Sequence, residues 1–226
     1  MTKFIQEVEA YDTNAPRYKD YYKGVYELIL REGYKSVLDV GCASGDFIRL
    51  MNIDNVECIG IDVSEPLIRM ANASNNKDNV TFLHADILDK GFNIEKNIDL
   101  ITCFGTAVCI SDIGVLLGAM FRFKPKMIFF NDVINVNGLD VVVGYKRQNQ
   151  TDYNFAYNIR CEQTWRELIN EHTEYSIEFE PYKMESELKK SDNPIRNYHS
   201  NIDGELLQRN GLDLILRGHN IIFKRH

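Results

Sequence analysis

The chain lacks the features that mark a membrane protein, a nucleic-acid binder or a disulfide scaffold. No apolar stretch approaches the roughly 20 residues that a bilayer span requires. The opening run Met1 to Glu9 carries neither an apolar core nor a cleavage pattern. No membrane partner is therefore expected, and the cytoplasm is the expected compartment. Cations are outnumbered, 26 Lys and Arg against 33 Asp and Glu, for a net charge of −7. Affinity for nucleic acid comes largely from clustered cations meeting phosphates, so no nucleic-acid partner is expected. Five cysteines (Cys42, Cys58, Cys103, Cys109, Cys161) form an odd set with no C-x-x-C pair. That pattern fits reduced core thiols rather than disulfides or zinc, and no metal is expected. Internal repeats and low-complexity tracts are missing too. With 226 residues, 44% of them hydrophobic, the chain is long enough for one sizeable core and short for two. The expectation is one domain over 1–226 with a modest insertion.

What is present is concentrated in Leu38-Asp39-Val40-Gly41-Cys42-Ala43-Ser44-Gly45-Asp46. An apolar run ends at Val40, glycines permit a tight turn and close approach to a ligand, and a helix opens near Gly45 with its unpaired N–H groups facing a crevice. Acids recur at Asp62 and Asp86, each at the end of a later apolar run. Three carboxylates therefore line the carboxyl edge of one predicted sheet. A nicotinamide fingerprint G-x-G-x-x-G starting at Gly41 would need glycine where Ala43 and Asp46 stand, which disfavours a dehydrogenase.

Strand and helix patterns alternate around that turn. Tyr18, Tyr21, Tyr22, Val25, Leu28 and Ile29 follow helical spacing after Pro16, up to Gly33. Strands are expected at Ser36 to Val40, Glu57 to Asp62, Val80 to His84, Ile98 to Phe104 and Lys126 to Asn131. Between them, Ser64-Glu65-Pro66 opens a helix with Ser64 as N-cap, and Ser111 to Phe121 forms another. Short, nearly continuous apolar runs separated by helices make an α/β, doubly wound parallel sheet covered on both faces. After Asp132 the texture changes. Tyr145 to Tyr157 is polar, Thr164 to Glu171 reads as a helix, Glu174 to Tyr182 alternates as a strand with one wet face, and Gly218 to Arg225 reads as a last strand. Met184 to Asn201, charged and carrying Pro194, reads as a loop or hairpin.

In order, these motifs resemble those of the class I S-adenosylmethionine-dependent methyltransferases of small-molecule type, across residues 10 to 135. Leu38 to Gly45 is similar to the family's glycine-rich first motif, Gly60-Ile61-Asp62-Val63-Ser64 to its second and Ala85-Asp86-Ile87 to its third. Asp99 to Gly105, with Cys103 and Phe104, is similar to the fourth strand, which in the family faces donor and acceptor. Ala43 stands where many members have glycine, and Lys124-Pro125-Lys126 replaces a Pro-Gly-Gly turn. The resemblance implies a Rossmann-like, mostly parallel seven-stranded sheet with a reversed last strand, and S-adenosyl-L-methionine as the cofactor. It also implies an N-terminal helical lid over 1–32, with Tyr11 and Tyr18 closing on the donor.

The donor's chemistry assigns roles to these positions. A carboxylate at the end of the second strand accepts both ribose hydroxyls in charge-assisted bonds, which falls to Asp62. Asp86 suits the adenine amine, with Ile87 and Val63 on the purine faces. Gly41, Cys42 and Ala43 turn backbone groups toward the methionine portion, and Asp39 sits beneath the loop, accepting its N–H bonds. Methyl transfer from a sulfonium is an in-line displacement, and a base helps only where the acceptor loses a proton. His199, Tyr198 and Asp132 are the candidates for that work.

Asn193-Pro194-Ile195-Arg196 lies far from the fourth strand, so it does not match the motif of adenine-methylating enzymes. An acceptor-binding insertion is expected over 145–205. There Tyr153, Tyr157, Arg160, Trp165, Arg166, Arg196, Tyr198 and His199 mix aromatic faces suited to sugar rings with cations suited to phosphate or carboxylate. The expected activity is O-methylation of a small polar metabolite such as a sugar, nucleotide-sugar or phosphorylated intermediate. N-methylation of an amino-sugar or amine, and a non-catalytic donor-binding protein, are the alternatives.

Overall fold

The computed structural model describes residues 18–51, 54–183, 187–190, 197–212 and 214–226. In chain order the elements are α1 (Asp20–Glu32), β1 (Ser36–Val40), α2 (Asp46–Met51), β2 (Glu57–Asp62), α3 (Glu65–Ala73), β3 (Val80–His84), β4 (Leu100–Phe104), α4 (Ile113–Phe121) and β5 (Met127–Val133). The C-terminal half adds β6 (Val141–Tyr145), β7 (Asn154–Ile159), α5 (Glu162–Leu168), β8 (Tyr175–Pro181), β9 (Tyr198–Ile202), β10 (Glu205–Arg209), β11 (Ile215–Leu216) and β12 (Gly218–Arg225). Seven strands form one sheet in the order β3-β2-β1-β4-β5-β12-β8. The first five run parallel, and β12 is antiparallel to both β5 and β8.

Strand periodicity of two divides the core between the sheet's faces. Val37, Leu100, Met127, Phe129 and Ile222 pack under α1, α2 and α3. Leu38, Val40, Ile101, Cys103, Ile128, Phe130, Ile221 and Phe223 pack on the other face, with α4 and with Trp165 of α5. Because both faces are covered, the central strands read as unbroken apolar runs, and all of β1 is buried. The fold is a Rossmann-like seven-stranded sheet with a reversed last strand.

Helix ends follow local chemistry. α1 buries Tyr21, Tyr22, Val25, Leu28 and Ile29 and stops at Gly33, whose φ of 65° places it in the left-handed region. α4 is capped by Asp112, which accepts from the Val115 N–H at 3.2 Å. The expected Ser64 cap makes no side-chain bond. Its backbone N–H instead meets Asp62, and Pro66 fixes the first turn of α3.

Three features depart from the sequence reading. The link from β3 to β4, residues 85–99, crosses without a helix. Buried Ile87 and Ile98 anchor it, and Arg122 donates to the carbonyls of Ile87 and Asp89 at 2.9 and 3.3 Å. The polar stretch around 145–157 is an antiparallel hairpin, β6 with β7, packed on a 3-10 turn over Ala107–Cys109. β9, β10 and β11 form a separate three-stranded antiparallel sheet. α5 and β8 fall within 145–205, yet both belong to the main fold. Among the described residues, no helix is long and apolar enough to cross a membrane.

Candidate active site

The chain leaves β1 at Val40 and turns through Gly41, Ala43 and Gly45, with φ of 74°, 51° and 77°. The Gly41 and Cys42 N–H groups both donate to the Ile61 carbonyl, at 2.9 and 3.0 Å. Asp62 closes the turn. Its Oδ2 accepts from the Ala43 N–H at 2.9 Å and its Oδ1 from the Ser64 N–H at 2.8 Å. Ala43 is thus a Cβ-bearing residue in the left-handed region, a strained position where glycine is at ease.

The glycines serve packing as well as approach. A Cβ on Gly45 or on Gly60 would come within 3 Å of the Phe82 ring, which reaches from β3 across β2 to the turn. A glycine inside an apolar strand signals such close contact, and Gly60 was that signal for Phe82. A Cβ on Gly41 would collide with Thr106, the second residue beyond β4.

Asp39 does not hold the loop, contrary to expectation. Its side chain projects on the same face as Val37, and its carboxylate accepts from the Thr102 hydroxyl of β4 at 2.8 Å. It is 2% exposed, and desolvation pushes its pKa from 3.8 to about 7 despite the Thr102 bond. Cys103 also departs from expectation. It is fully buried in the core on the α4 side, and burial pushes its thiol well up, so it packs rather than lining the crevice. Cys42 is buried at the turn, its thiol toward the Ala43 carbonyl at 3.7 Å and its pKa likewise raised by burial.

At the tips of β2 and β3, Val63 is 65% exposed and Asp86 is exposed, its Oδ1 accepting from the Leu88 N–H at 2.8 Å. Ile87 points into the core instead. Phe104, at the tip of β4, joins an aromatic cluster with Tyr21, Tyr22 and Phe47 at centroid distances of 5.0, 5.5 and 5.0 Å. Tyr18 lies half exposed against the edge of Tyr22, and Tyr11 lies outside the described residues.

The three candidate bases separate. Asp132, near the end of β5, is 4% exposed and accepts from the Val108 and Val133 N–H groups at 3.1 and 2.7 Å. Desolvation raises its pKa to about 7, opposed by these bonds and by the charge of Arg160. His199 lies on β9, where its Nδ1 accepts from the Leu188 N–H at 2.8 Å and its backbone N–H donates to the Leu188 carbonyl at 2.9 Å. Its Nδ1 is therefore spent on holding that segment. Tyr198, the neighbouring residue of β9, lies under the Lys190 ammonium, 5.5 Å from the ring centroid.

The proposed acceptor platform is thinned in the same way. Trp165 is 1% exposed against Phe130 and Phe223, and Arg166 pairs with Glu162 and covers the Phe179 ring. Arg160 is buried on backbone carbonyls. Arg196 lies outside the described residues. Residue type alone does not separate an aromatic or a cation that recognises a ligand from one that packs a core.

Residues 32–210 match the profile of the methyltransferase domain family. No curated protein matches the sequence. Among solved structures, the magnesium protoporphyrin IX methyltransferase of Synechocystis PCC 6803, with bound SAM, superposes with a TM-score of 0.56 at 11% identity, over 91% of this chain and 78% of that one. The YcgJ protein of Bacillus subtilis gives 0.59 at 14% identity, over 90% and 99% of the two chains. The plantazolicin methyltransferase BpumL, in complex with a triazolic desmethylPZN analog and SAH, gives 0.55 at 15% identity, over 91% and 82%. The family profile spans the glycine turn and the Asp62 tip, over more than three quarters of the sequence, and the chain belongs to the methyltransferase domain family.

Proposed function

We propose that this chain transfers a methyl group from S-adenosylmethionine to the oxygen of a small polar metabolite. One observation carries the donor assignment: the Asp62 carboxylate stands at the tip of β2 against the Ala43 N–H of the glycine turn. This lies beside the point where the strand order reverses, with β2 on one side of β1 and β4 on the other. Ligands of open α/β sheets bind there.

The residues present fit the donor. A carboxylate is a strong acceptor for hydroxyl groups, and Asp62 places one at the tip of β2, where the ribose hydroxyls of the donor would lie. Val63 offers exposed apolar surface for a purine face, and Asp86 an exposed acceptor for its amine. The Gly41–Ala43 backbone, turned by positive φ, suits the methionine portion. When bound, the donor supplies a sulfonium methyl electrophile. The chain's own work is to hold the two partners in line and to keep water out, which is where most of the acceleration of such a displacement arises.

Of the three candidate bases, Asp132 is the one supported. Its pKa of about 7 sits at the operating range of a general base, and it lies where β5 leaves the sheet, next to the turn after β4. The hairpin β6–β7 packs on that turn and presents Tyr145, Lys146, Arg147 and the exposed Tyr153, with the Lys146 ammonium 5.5 Å from the Tyr153 ring centroid. That surface supports a sugar-like or phosphorylated acceptor. A panel of such metabolites, incubated with methyl-labelled donor, tests the reading. Transfer to a hydroxyl of a panel member is the expected result, and transfer only to protein or nucleic acid overturns it.

A further inference from the structure

The segment Gly105–Asp112 leaves β4 at the proposed donor edge and holds the 3-10 turn Ala107–Cys109. Asp132 takes the N–H groups at the start of that turn, Val108 at 3.1 Å and also Ala107. Arg160 takes its carbonyls. Nη1 donates to Ala107 at 3.1 Å, and Nη2 donates to Ser111 at 3.1 Å and to Ile110. Asn158, two residues earlier on β7, donates from Nδ2 to the Ile110 carbonyl at 2.9 Å. A carboxyl acceptor at the amide end and a guanidinium at the carbonyl end complement the turn's polarity, so both groups fix one placement of this segment.

That placement touches both halves of the site. On one side Thr106 fills the space above Gly41, so the position of the segment sets the shape of the donor turn. On the other, Arg160 follows directly on β7, forms a bridge with Ile134, and accepts the Asn135 N–H on its carbonyl at 2.9 Å. The guanidinium of Arg160 therefore holds the exit of β4 while its backbone holds the exit of β5, at a residue that directly follows the hairpin and is only 6% exposed.

We propose that Arg160 is a positioning residue that ties the β6–β7 hairpin to the glycine turn, so that the acceptor-side hairpin and the donor site order one another without Arg160 touching either ligand. This inference rests on the donor reading above. Coupling between sites is reciprocal in free energy, and donor binding alone therefore reports it.

The test is calorimetric titration of wild type, Arg160→Lys and Arg160→Ala with S-adenosylhomocysteine, together with hydrogen exchange on the wild type. Arg160→Ala is expected to bind about tenfold more weakly, within the usual range of such couplings. Guanidinium ion at millimolar concentration is expected to restore binding where methylammonium does not, and Arg160→Lys to fall between. In the wild type, the ligand is expected to slow exchange at the Val108 and Asn135 amides and along β7. Unchanged affinity in Arg160→Ala, or no slowing at Asn135 and β7, overturns the inference. Should Arg160→Ala fail to fold, the wild-type exchange decides. A wild type that ignores S-adenosylhomocysteine sinks the donor reading itself, whereas one that binds it with the same affinity as its variants sinks only the role of Arg160.

Discussion

Asp39→Asn is the substitution through which the buried electrostatics of this fold can be measured. The carboxyl is 2% exposed, and its pKa stands at about 7 against 3.8 for the free group. Between those values the native chain holds a proton that the unfolded chain has released, so native stability falls as pH rises across the window. The slope is about 1.4 kcal/mol per pH unit for this one group, and three units give a deficit on the order of 4 kcal/mol, complete above about pH 7 and absent below about pH 4. Asparagine cannot ionise, but it keeps an acceptor for the Thr102 hydroxyl. Asp132 carries a similar shift in both proteins and cancels in the difference. Urea unfolding of wild type and Asp39→Asn at pH 4, 5, 6, 7 and 8 should therefore give a stability difference that moves steadily in favour of the variant, by about 2 to 4 kcal/mol from end to end. Parallel stability curves would refute the reasoning, because they would mean that Asp39 is ionised at little cost in the folded chain.

Three further outcomes follow from the geometry. Gly60→Ala should destabilise the chain by about 1 to 3 kcal/mol through overpacking against Phe82, and most of that should return in the double variant with Phe82→Leu; denaturant melts of the four proteins check it. Ala43→Gly should stabilise the unliganded chain by about 1 kcal/mol by relieving the left-handed strain at φ of 51°, measured by thermal unfolding. With an acceptor in hand, the rate of methyl transfer should rise with pH through about 7 as Asp132 loses its proton. Asp132→Asn should remove that inflection and slow transfer by roughly a hundredfold or more, in a pH-rate profile taken with saturating donor.

The parallel half of the sheet was legible because strands buried on both faces leave apolar runs that no surface helix produces. Ile59 and Ile61 around Asp62, and Ile101 and Cys103 in β4, are such runs. The reversed β12 came from the likeness of the motifs, since an alternating strand does not state its direction. The β6–β7 hairpin was missed because its turn is written in Lys, Arg, Gln and Asn, residues equally at home in a loop. At the site, the carboxylates were visible but their partners were not. Asp39 lies next to the turn in sequence and Asp62 lies 19 residues beyond Ala43, yet it is the distant one that holds the turn, because the pleat of β1 faces Asp39 to Thr102 while the tip of β2 brings Asp62 to Ala43. Arg160 and His199 were chosen for their chemistry as binding groups, and both are consumed by backbone partners that lie 49 to 53 and 11 residues away. Long-range hydrogen bonds of this kind leave no local pattern to read.

The central claim is that Asp62 and the glycine turn hold the adenosyl portion of a sulfonium donor, and isothermal calorimetry with S-adenosylhomocysteine tests it most directly. The wild type should bind, and Asp62→Asn, its folding checked by thermal melting, should bind about 10- to 100-fold more weakly, as expected for losing hydrogen bonds to a charged acceptor. Equal affinity in the two proteins, or no binding by either, would contradict the account.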